Sequence, residues 1–339
     1  VKTLYGNKML NSHLEQLGKY VLVTMDAPWQ LYEPLLRIKP EAVLMVESLN
    51  KESLDKMVGN VPRDCAIVGL GGGTALDAAK YFAYSADQVP LLVPSITSSN
   101  APFTDFISIR KNGTSFGFKV DGYPKKILID YELIQMADPR LNRAGYGDLL
   151  YMQTTWNDWK IAQEKGIGPA LDPEVEREID RIVVSSLENA PEIGSLTQDG
   201  IRLLMENTQS SSELYMLNPT LPISAGSDHL FAWNLELTTG KPLIHGEIVS
   251  LGIVMSSFLQ KSYLPESRYR ELRKAMDEAC VIYHPDQIGV TWDEIVRTLQ
   301  SVESYNKEVR GFHTVFEWVD WTPSLWKRLK DYLYNGIDS

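Results

Sequence analysis

Cysteine and histidine are both scarce in this chain. Two cysteines, Cys65 and Cys280, lie far apart among 339 residues, and no Cys-x-x-Cys pair occurs. A disulfide scaffold and a cysteine-based structural zinc site are therefore excluded. No apolar run approaches 18 residues, which excludes a transmembrane helix at the level of sequence. The stretch Val1–Asn7 lacks the apolar core of a signal peptide, so a reducing cytoplasm is the expected compartment. Positive charge is short as well: 33 Lys and Arg face 44 Asp and Glu, for a net charge of −11. That balance argues against general affinity for nucleic acid or an anionic membrane, while leaving room for a local basic pocket that takes one phosphate. Low-complexity tracts, internal repeats and long linkers are absent from the sequence. What is present, 44% hydrophobic and 23% charged residues over this length, matches two globular domains that each bury a core.

The first 140 residues read as alternating strands and helices. Tyr20–Met25, Ala42–Glu47, Cys65–Leu70, Val89–Pro94 and Lys126–Asp130 are short apolar strand candidates, with Ser53–Val58 and Ala75–Tyr84 as helices among them. Buried strands separated by helices predict a parallel sheet covered on both faces. After Arg140 the strand signals nearly vanish. Pro173–Asn189, Gly200–Leu217, Glu247–Tyr263, Arg268–Glu278 and Thr291–Ser304 carry apolar residues at helical spacing, and Pro173 suits a first helical turn. The expected division is an α/β nucleotide-type domain over 1–139 and an all-helical domain over 140–339, with a cleft between them.

Within the first half, Ile67–Lys80 runs from a strand through Gly71, Gly72 and Gly73 into a helix of small residues. Glycines allow a tight turn and let backbone N–H groups approach a pyrophosphate, and the helix N-terminus adds partial positive charge. The run is neither Gly-x-Gly-x-x-Gly nor a P-loop, so a ligand-free strand-to-helix turn is the structural alternative. Asp26, just past the Tyr20–Met25 strand, is placed to meet ribose hydroxyls and to repel a 2′-phosphate, favouring NAD over NADP. A turn or capping role would explain it equally.

Of five histidines, His229 and His245 stand apart. His229 follows Ser227–Asp228 ahead of one helical run, and His245 opens the next in Pro242–Glu247. Sixteen positions apart, they suit the ends of two adjacent helices converging on one point. A catalytic metal takes three protein ligands and keeps an open position, so the third ligand should be a carboxylate on another helix. Asp148, in Gly145–Leu150, offers one, with helix N-capping as its structural alternative. His13, His284 and His313 have no such setting.

The order Asp26, Gly71–Lys80, Val93–Pro102, Gly145–Asp148, Ser227–His229 and His245–Glu247 resembles the metal-dependent, iron-type alcohol dehydrogenases, and in particular their glycerol dehydrogenase and sn-glycerol-1-phosphate dehydrogenase branch. Lys125–Asp130 followed by Ala137–Arg140 is similar to that family's bridge between domains, and Asp158–Trp159, ten residues after Gly147–Asp148, resembles the glycerol-1-phosphate branch. The resemblance implies a Rossmann-like parallel-sheet domain followed by an all-helical metal-binding domain, a dehydroquinate synthase-like arrangement. It implies Asp148, His229 and His245 as ligands of one divalent metal, taken as zinc with iron and nickel open. It further implies Gly71, Gly72, Gly73, Thr74 and Asp77, with Ser95, Ser98, Thr104, Phe106 and Arg110, as the binding set for NAD or NADP.

Two positions depart from the family pattern. Ser95 replaces the usual Thr and keeps the hydroxyl. Asn100 stands where glycerol-type enzymes place an Asp that contacts substrate hydroxyls, and an amide there lacks the charge and offers donors as well as acceptors. The implied activity is interconversion of a small polyol or polyol phosphate with its ketone, foremost sn-glycerol 1-phosphate and dihydroxyacetone phosphate. Glycerol dehydrogenase, a sugar-phosphate cyclase and a non-catalytic nucleotide-binding relative are the alternatives. The cyclase is disfavoured because Asn100–Arg110 lacks a lysine. Arg110, Lys111, Lys119 and Lys160 are the available anchors for a phosphate. The expected partners are the small-molecule substrate and, through self-association, a homo-oligomer, with neither nucleic acid nor membrane.

Overall fold

The strand Tyr20–Thr24 is buried at every position because its alternate residues feed two different cores. Val21 and Val23 join Ile67, Leu92 and Phe82 on one face, whereas Tyr20 and Leu22 join Val68, Leu70, Val93 and Leu128 on the other. A period of two places successive side chains on opposite faces, and helices on both sides make each face a core. The computed structural model describes residues 2–111, 114–120 and 126–337. These divide into two compact units, Val1–Asn142 and Arg143–Ser339.

The first unit runs β1 (Lys2–Gly6), α1 (Leu10–Leu17), β2 (Tyr20–Thr24), α2 (Asp26–Tyr32), β3 (Ala42–Met45), α3 (Lys51–Val58), β4 (Ala66–Gly71), α4 (Gly73–Ser85), β5 (Leu91–Pro94), β6 (Phe106–Lys111), β7 (Thr114–Lys119), β8 (Lys126–Asp130) and α5 (Tyr131–Met136). Six strands form a sheet in the order β1-β8-β5-β4-β2-β3, parallel at every pairing. From β2 the chain moves one way to β3, then crosses back to β4 and continues through β5 and β8. The strand order therefore reverses between β2 and β4, and the crevice beyond the carboxyl ends of such a pair is where open α/β sheets bind ligands. Both Asp26 and the glycine turn follow directly from these two strands. Two features exceed the sequence reading: the edge strand β1, and the antiparallel hairpin β6–β7. Asp130, at the end of β8, accepts hydrogen bonds from the backbone N–H groups of Lys8, Met9 and Leu10 at 3.0, 2.7 and 3.1 Å. It thereby caps the start of α1, which has no cap of its own.

The helix α6 (Pro139–Leu149) contains the division between the units. The second unit continues with α7 (Tyr151–Glu164), α8 (Pro173–Glu188), α9 (Ala190–Gly194), α10 (Gln198–Leu217), α11 (Ser227–Thr239), α12 (His245–Gln260), α13 (Tyr269–Glu278), α14 (Pro285–Ile288), α15 (Trp292–Val309) and α16 (Pro323–Asn335). Local chemistry sets several ends. Asp172 caps α8 by accepting from the N–H groups of Glu174 and Val175, with Pro173 in the first turn. Thr291 and Glu294 form a reciprocal capping box on α15. Gly240, at φ 62°, ends α11. The helices α7 and α12 run through the middle of this unit and are buried along nearly their whole lengths. No described helix is long and apolar enough to cross a membrane.

Candidate functional site

In the first unit, β4 ends in Gly71 and α4 begins at Gly73, with Gly72 at the cap and no side chain capping the helix. Gly71 has φ +152°, and a Cβ there would come within 2.8 Å of the Ala75 methyl. A glycine is therefore required for the chain to fold back onto its own helix. Ser95, at the end of β5, donates its N–H to the Gly71 carbonyl at 2.9 Å. Asn142 holds the next turn by accepting from Thr97 N–H at 2.9 Å, while the Thr97 hydroxyl donates to the Asn142 carbonyl at 2.8 Å. Gly72, Gly73, Thr74 and Ser95 thus sit around one uncapped helix start, with Ile96 beside Gly72 and Ser99 beside Gly73. Asp26 is exposed in the first turn of α2 and accepts from Gln30. Pro28 of the same helix lies beside Gly71.

The structure gives Asp77 and Thr104 other partners. Asp77 is buried, its Oδ2 accepts from Ser108 N–H at 2.8 Å, and its Oδ1 lies 2.8 Å from the buried Lys80 ammonium. Lys80 also donates to the carbonyls of Ala101, Thr104 and Phe106 and to the Thr104 hydroxyl. One turn into α4, the pair clips the segment 101–108 to the helix, because a buried ammonium must be surrounded by acceptors. Arg110 donates its backbone N–H to Leu49. Asn100 is exposed, with its carbonyl accepting from Phe103 N–H. Lys119 pairs with Asp105, and Lys160 of the second unit with Glu176 and Glu266. The Lys111 side chain lies outside the described residues.

In the second unit Asp148, His229 and His245 come together from three helix ends. One ligand atom from each lies within 4.8 Å of the others. Asp148 is the next-to-last residue of α6, so it does not cap a helix start. A carboxylate at a helix C-terminus and imidazoles in the first turns of α11 and α12 all oppose the helix dipoles as charged groups. Close approach of α6 makes this meeting possible: a Cβ on Gly147 would fall 1.9 Å from the Ser250 hydroxyl of α12.

A network fixes the imidazole of His229. Asp228 Oδ1 accepts from His229 Nδ1 at 2.5 Å, and Asp228 Oδ2 accepts from the Thr154 hydroxyl at 2.6 Å. With Nδ1 engaged by Asp228, Nε2 is the nitrogen that faces Asp148, 3.4 Å from Oδ1. Tyr151 and Trp233 wall the ring at 5.1 and 5.3 Å, and the His245 ring lies 5.5 Å away. Burial pushes the His229 pKa down, but the carboxylates of Asp148 and Asp228 outweigh it and raise it to about 10. Burial likewise works to raise Asp148, and interaction with His229 and His245 outweighs that to hold it low. Asp228, Thr154, Tyr151 and Trp233 were missed by the sequence reading. An Asp immediately preceding His229 was the one available sign of an outer partner.

The loop that delivers His245 is anchored by Lys241, which donates to the Gly289 carbonyl at 2.7 Å and pairs with Glu294 at 2.8 Å. Glu294 is held at about 2 by Lys241, then by the Thr291 N–H, against an opposing effect of burial, with the Thr291 hydroxyl adding to the hold. A carboxylate depressed in the folded state stabilises the fold fully above its unfolded pKa, near 4.5, and loses that contribution as pH falls toward 2. In Glu294→Gln the dependence of the urea midpoint on pH should flatten across that window. An unchanged slope would separate Glu294 from acid unfolding.

A parallel sheet with a glycine turn at its switch point, followed by a helical unit with a carboxylate and two imidazoles at converging helix ends, defines a two-part α/β and all-helical class of protein. Residues 32–138 match the model of the iron-containing alcohol dehydrogenases. The glycerol-1-phosphate dehydrogenase (NAD(P)+) of Sulfolobus acidocaldarius is 31% identical over 251 residues, covering 71% of this chain and 67% of that one. That of Thermofilum pendens is 26% identical over 329 residues, 94% of this chain and 92% of its own. A crystal structure of a probable glycerol dehydrogenase from Sinorhizobium meliloti superposes with a TM-score of 0.70 at 15% identity, covering 97% of this chain and 95% of that one. The chain belongs to the iron-containing alcohol dehydrogenase family, within its glycerol-1-phosphate dehydrogenase branch.

Proposed function

We propose that the protein is a metal-dependent, NAD(P)-linked dehydrogenase that interconverts sn-glycerol 1-phosphate and dihydroxyacetone phosphate. The observation that carries the reading is the meeting of Asp148, His229 and His245, supported by the names of the relatives across most of the chain. The donor set fits a divalent cation. Asp148 Oδ1 is buried without a hydrogen-bond donor, an arrangement costly unless a cation compensates it. Two nitrogens and one oxygen suit zinc, which we take as the ion, and leave a coordination position for substrate. Bound there, the cation supplies Lewis acidity toward the substrate oxygen, and the nicotinamide supplies or accepts the hydride.

The chain's own part is to hold these groups. Asp228 keeps the proton on His229 Nδ1, Thr154 orients Asp228, and the Tyr151 and Trp233 rings limit water at the imidazole. Gly71, Gly72, Gly73 and Thr74, with Ser95 and Ser98, suit a pyrophosphate at the start of α4. The exposed carboxylate of Asp26 favours NAD by opposing a 2′-phosphate. Asp77 and Thr104 act through the buried Lys80, as positioning residues for the segment 101–108.

Asn100 is the residue we assign to substrate choice. A neutral amide opposes a phosphorylated substrate less than a carboxylate would. Asn100→Asp should therefore shift kcat/KM by roughly tenfold from dihydroxyacetone phosphate toward unphosphorylated dihydroxyacetone, about one unfavourable charge contact. An unchanged ratio would make Asn100 a spectator. The reaction itself is tested by following NADH absorbance with dihydroxyacetone phosphate and with dihydroxyacetone, on protein of measured metal content. Faster turnover of the unphosphorylated ketone would replace this reading with a glycerol dehydrogenase.

A further inference from the structure

A substrate carrying a phosphate needs a cation besides the metal, because carboxylates surround the imidazoles. Asp148 and Asp228 flank His229, and Glu236 Oε1 lies 3.9 Å from His245 Nδ1.

Arg310 lies beside the helix that carries His229. Its guanidinium carbon sits 4.0 Å from the centre of the Trp233 ring, and that ring lies 5.3 Å from the ring of His229. Trp233 is four residues beyond His229 on α11, so the imidazole and the indole share one face of the helix. A guanidinium stacked on an indole is held by cation–π attraction, with its N–H donors lying near its own plane in the fork that matches phosphate oxygens. A three-carbon chain ending in a phosphate can bridge these two short steps.

The backbone that carries Arg310 is fixed in advance. Arg310 closes α15, donating its N–H to the Asn306 carbonyl at 2.9 Å. The Asn306 side chain grips the turn that follows, donating to the Phe312 carbonyl at 2.6 Å and accepting from Phe312 N–H at 2.9 Å. Five residues past Arg310, Val315 N–H donates to Asp158 Oδ1 at 2.9 Å, and Asp158 Oδ2 accepts from Ser227 N–H at the start of α11, at 2.7 Å. One buried carboxylate therefore ties the segment bearing Arg310 to the helix bearing His229. Such preorganisation lowers the ordering cost of binding.

We propose that Arg310, stacked on Trp233, is the anchor for the substrate's phosphate and the determinant of phosphorylated over unphosphorylated trioses. The inference rests on the proposed reaction at the Asp148–His229–His245 site. The test uses metal-loaded enzyme with NADH and compares wild type, Arg310→Gln and Arg310→Lys on dihydroxyacetone phosphate and dihydroxyacetone. In Arg310→Gln the KM for the phosphate ester should rise roughly 10- to 100-fold, the size of a lost charge-assisted contact. KM for dihydroxyacetone and metal content should change little by comparison. Arg310→Lys, which keeps the charge without the fork, should recover part of the loss. An unchanged KM for the phosphate ester, or parallel losses on both ketones, overturns the assignment. Failure of the wild type to reduce dihydroxyacetone phosphate would instead sink the proposed reaction. Arg310 is then decided by inorganic phosphate as an inhibitor of whichever ketone is reduced: weaker inhibition of Arg310→Gln retains the anion site, and equal inhibition of both proteins removes it.

Discussion

In a His229→Ala variant, bound metal should be lost and kcat should fall by at least about 10³-fold. Lewis-acid stabilisation contributes several kcal/mol, and each 1.4 kcal/mol is a tenfold change in rate. The loss should extend beyond one ligand, because Asp148 and Asp228 would be left facing each other without the imidazole between them. His245→Ala should act in the same direction. Asp228→Asn should be milder, with metal affinity down about 10- to 100-fold, since it changes only the partner that sets the His229 tautomer. Metal content by emission spectroscopy, alongside turnover, checks each expectation. The far-UV dichroism should stay near that of the parent, because the large apolar cluster of this unit does not include these residues. Full metal occupancy in His229→Ala would remove the proposed site.

Asp158→Ala should be the most destabilising single change. The carboxylate is buried and accepts from Ser227 N–H, Val315 N–H and Gln260 Nε2 at 2.7, 2.9 and 2.8 Å. Each donor left unsatisfied costs about 1–3 kcal/mol, so the expected loss over three donors is about 3–9 kcal/mol. Metal affinity should weaken with it, since Ser227 opens the helix that carries His229. Burial raises the Asp158 pKa to about 7, in spite of donation from Ser227, Val315 and Gln260. The folded chain then binds this proton more tightly than the unfolded chain, whose carboxyl titrates near 4. Stability from this group is greatest at low pH and declines as pH rises from about 4 to about 7. The urea midpoint of the wild type should fall across that window, and Asp158→Asn should remove the slope. A flat wild-type profile, or a midpoint for Asp158→Ala close to the parent, would deny the carboxylate its role as a tie.

Sequence alone determined the strands β2 to β5 and β8 and the helices α8, α10, α11, α12, α13 and α15, because apolar residues at spacings of two or three to four dictate which face is buried. It also determined the glycine turn, whose composition permits little else. The residues Asp148, His229 and His245 were legible as candidates by type, and the resemblance supplied their grouping. The hairpin β6–β7 was readable in principle, since Asn112–Gly113 lies between two alternating runs. Helix α7 was hidden: Gln153, Thr154, Asn157 and Asp158 make it look polar, yet all are buried. Gln153 donates to Asn157 within the helix, but the partners of Thr154, Asn157 and Asp158 come from residues about 70 to 160 positions away, and a buried polar group is tolerable only once such partners are in place.

The same reason separates the remaining assignments. Nothing in Gly71–Lys80 tells that Asp77 faces Lys80 and Ser108 and not the turn, because helix phase alone does not say which strand packs there. Nothing in the sequence near Arg310 ties it to Trp233. Local pattern fixes which residues are buried and which elements form. Which buried polar groups meet, and so which charges a substrate encounters, is decided by the tertiary packing, because hydrogen bonds and ion pairs depend on distance in space and not on separation along the chain.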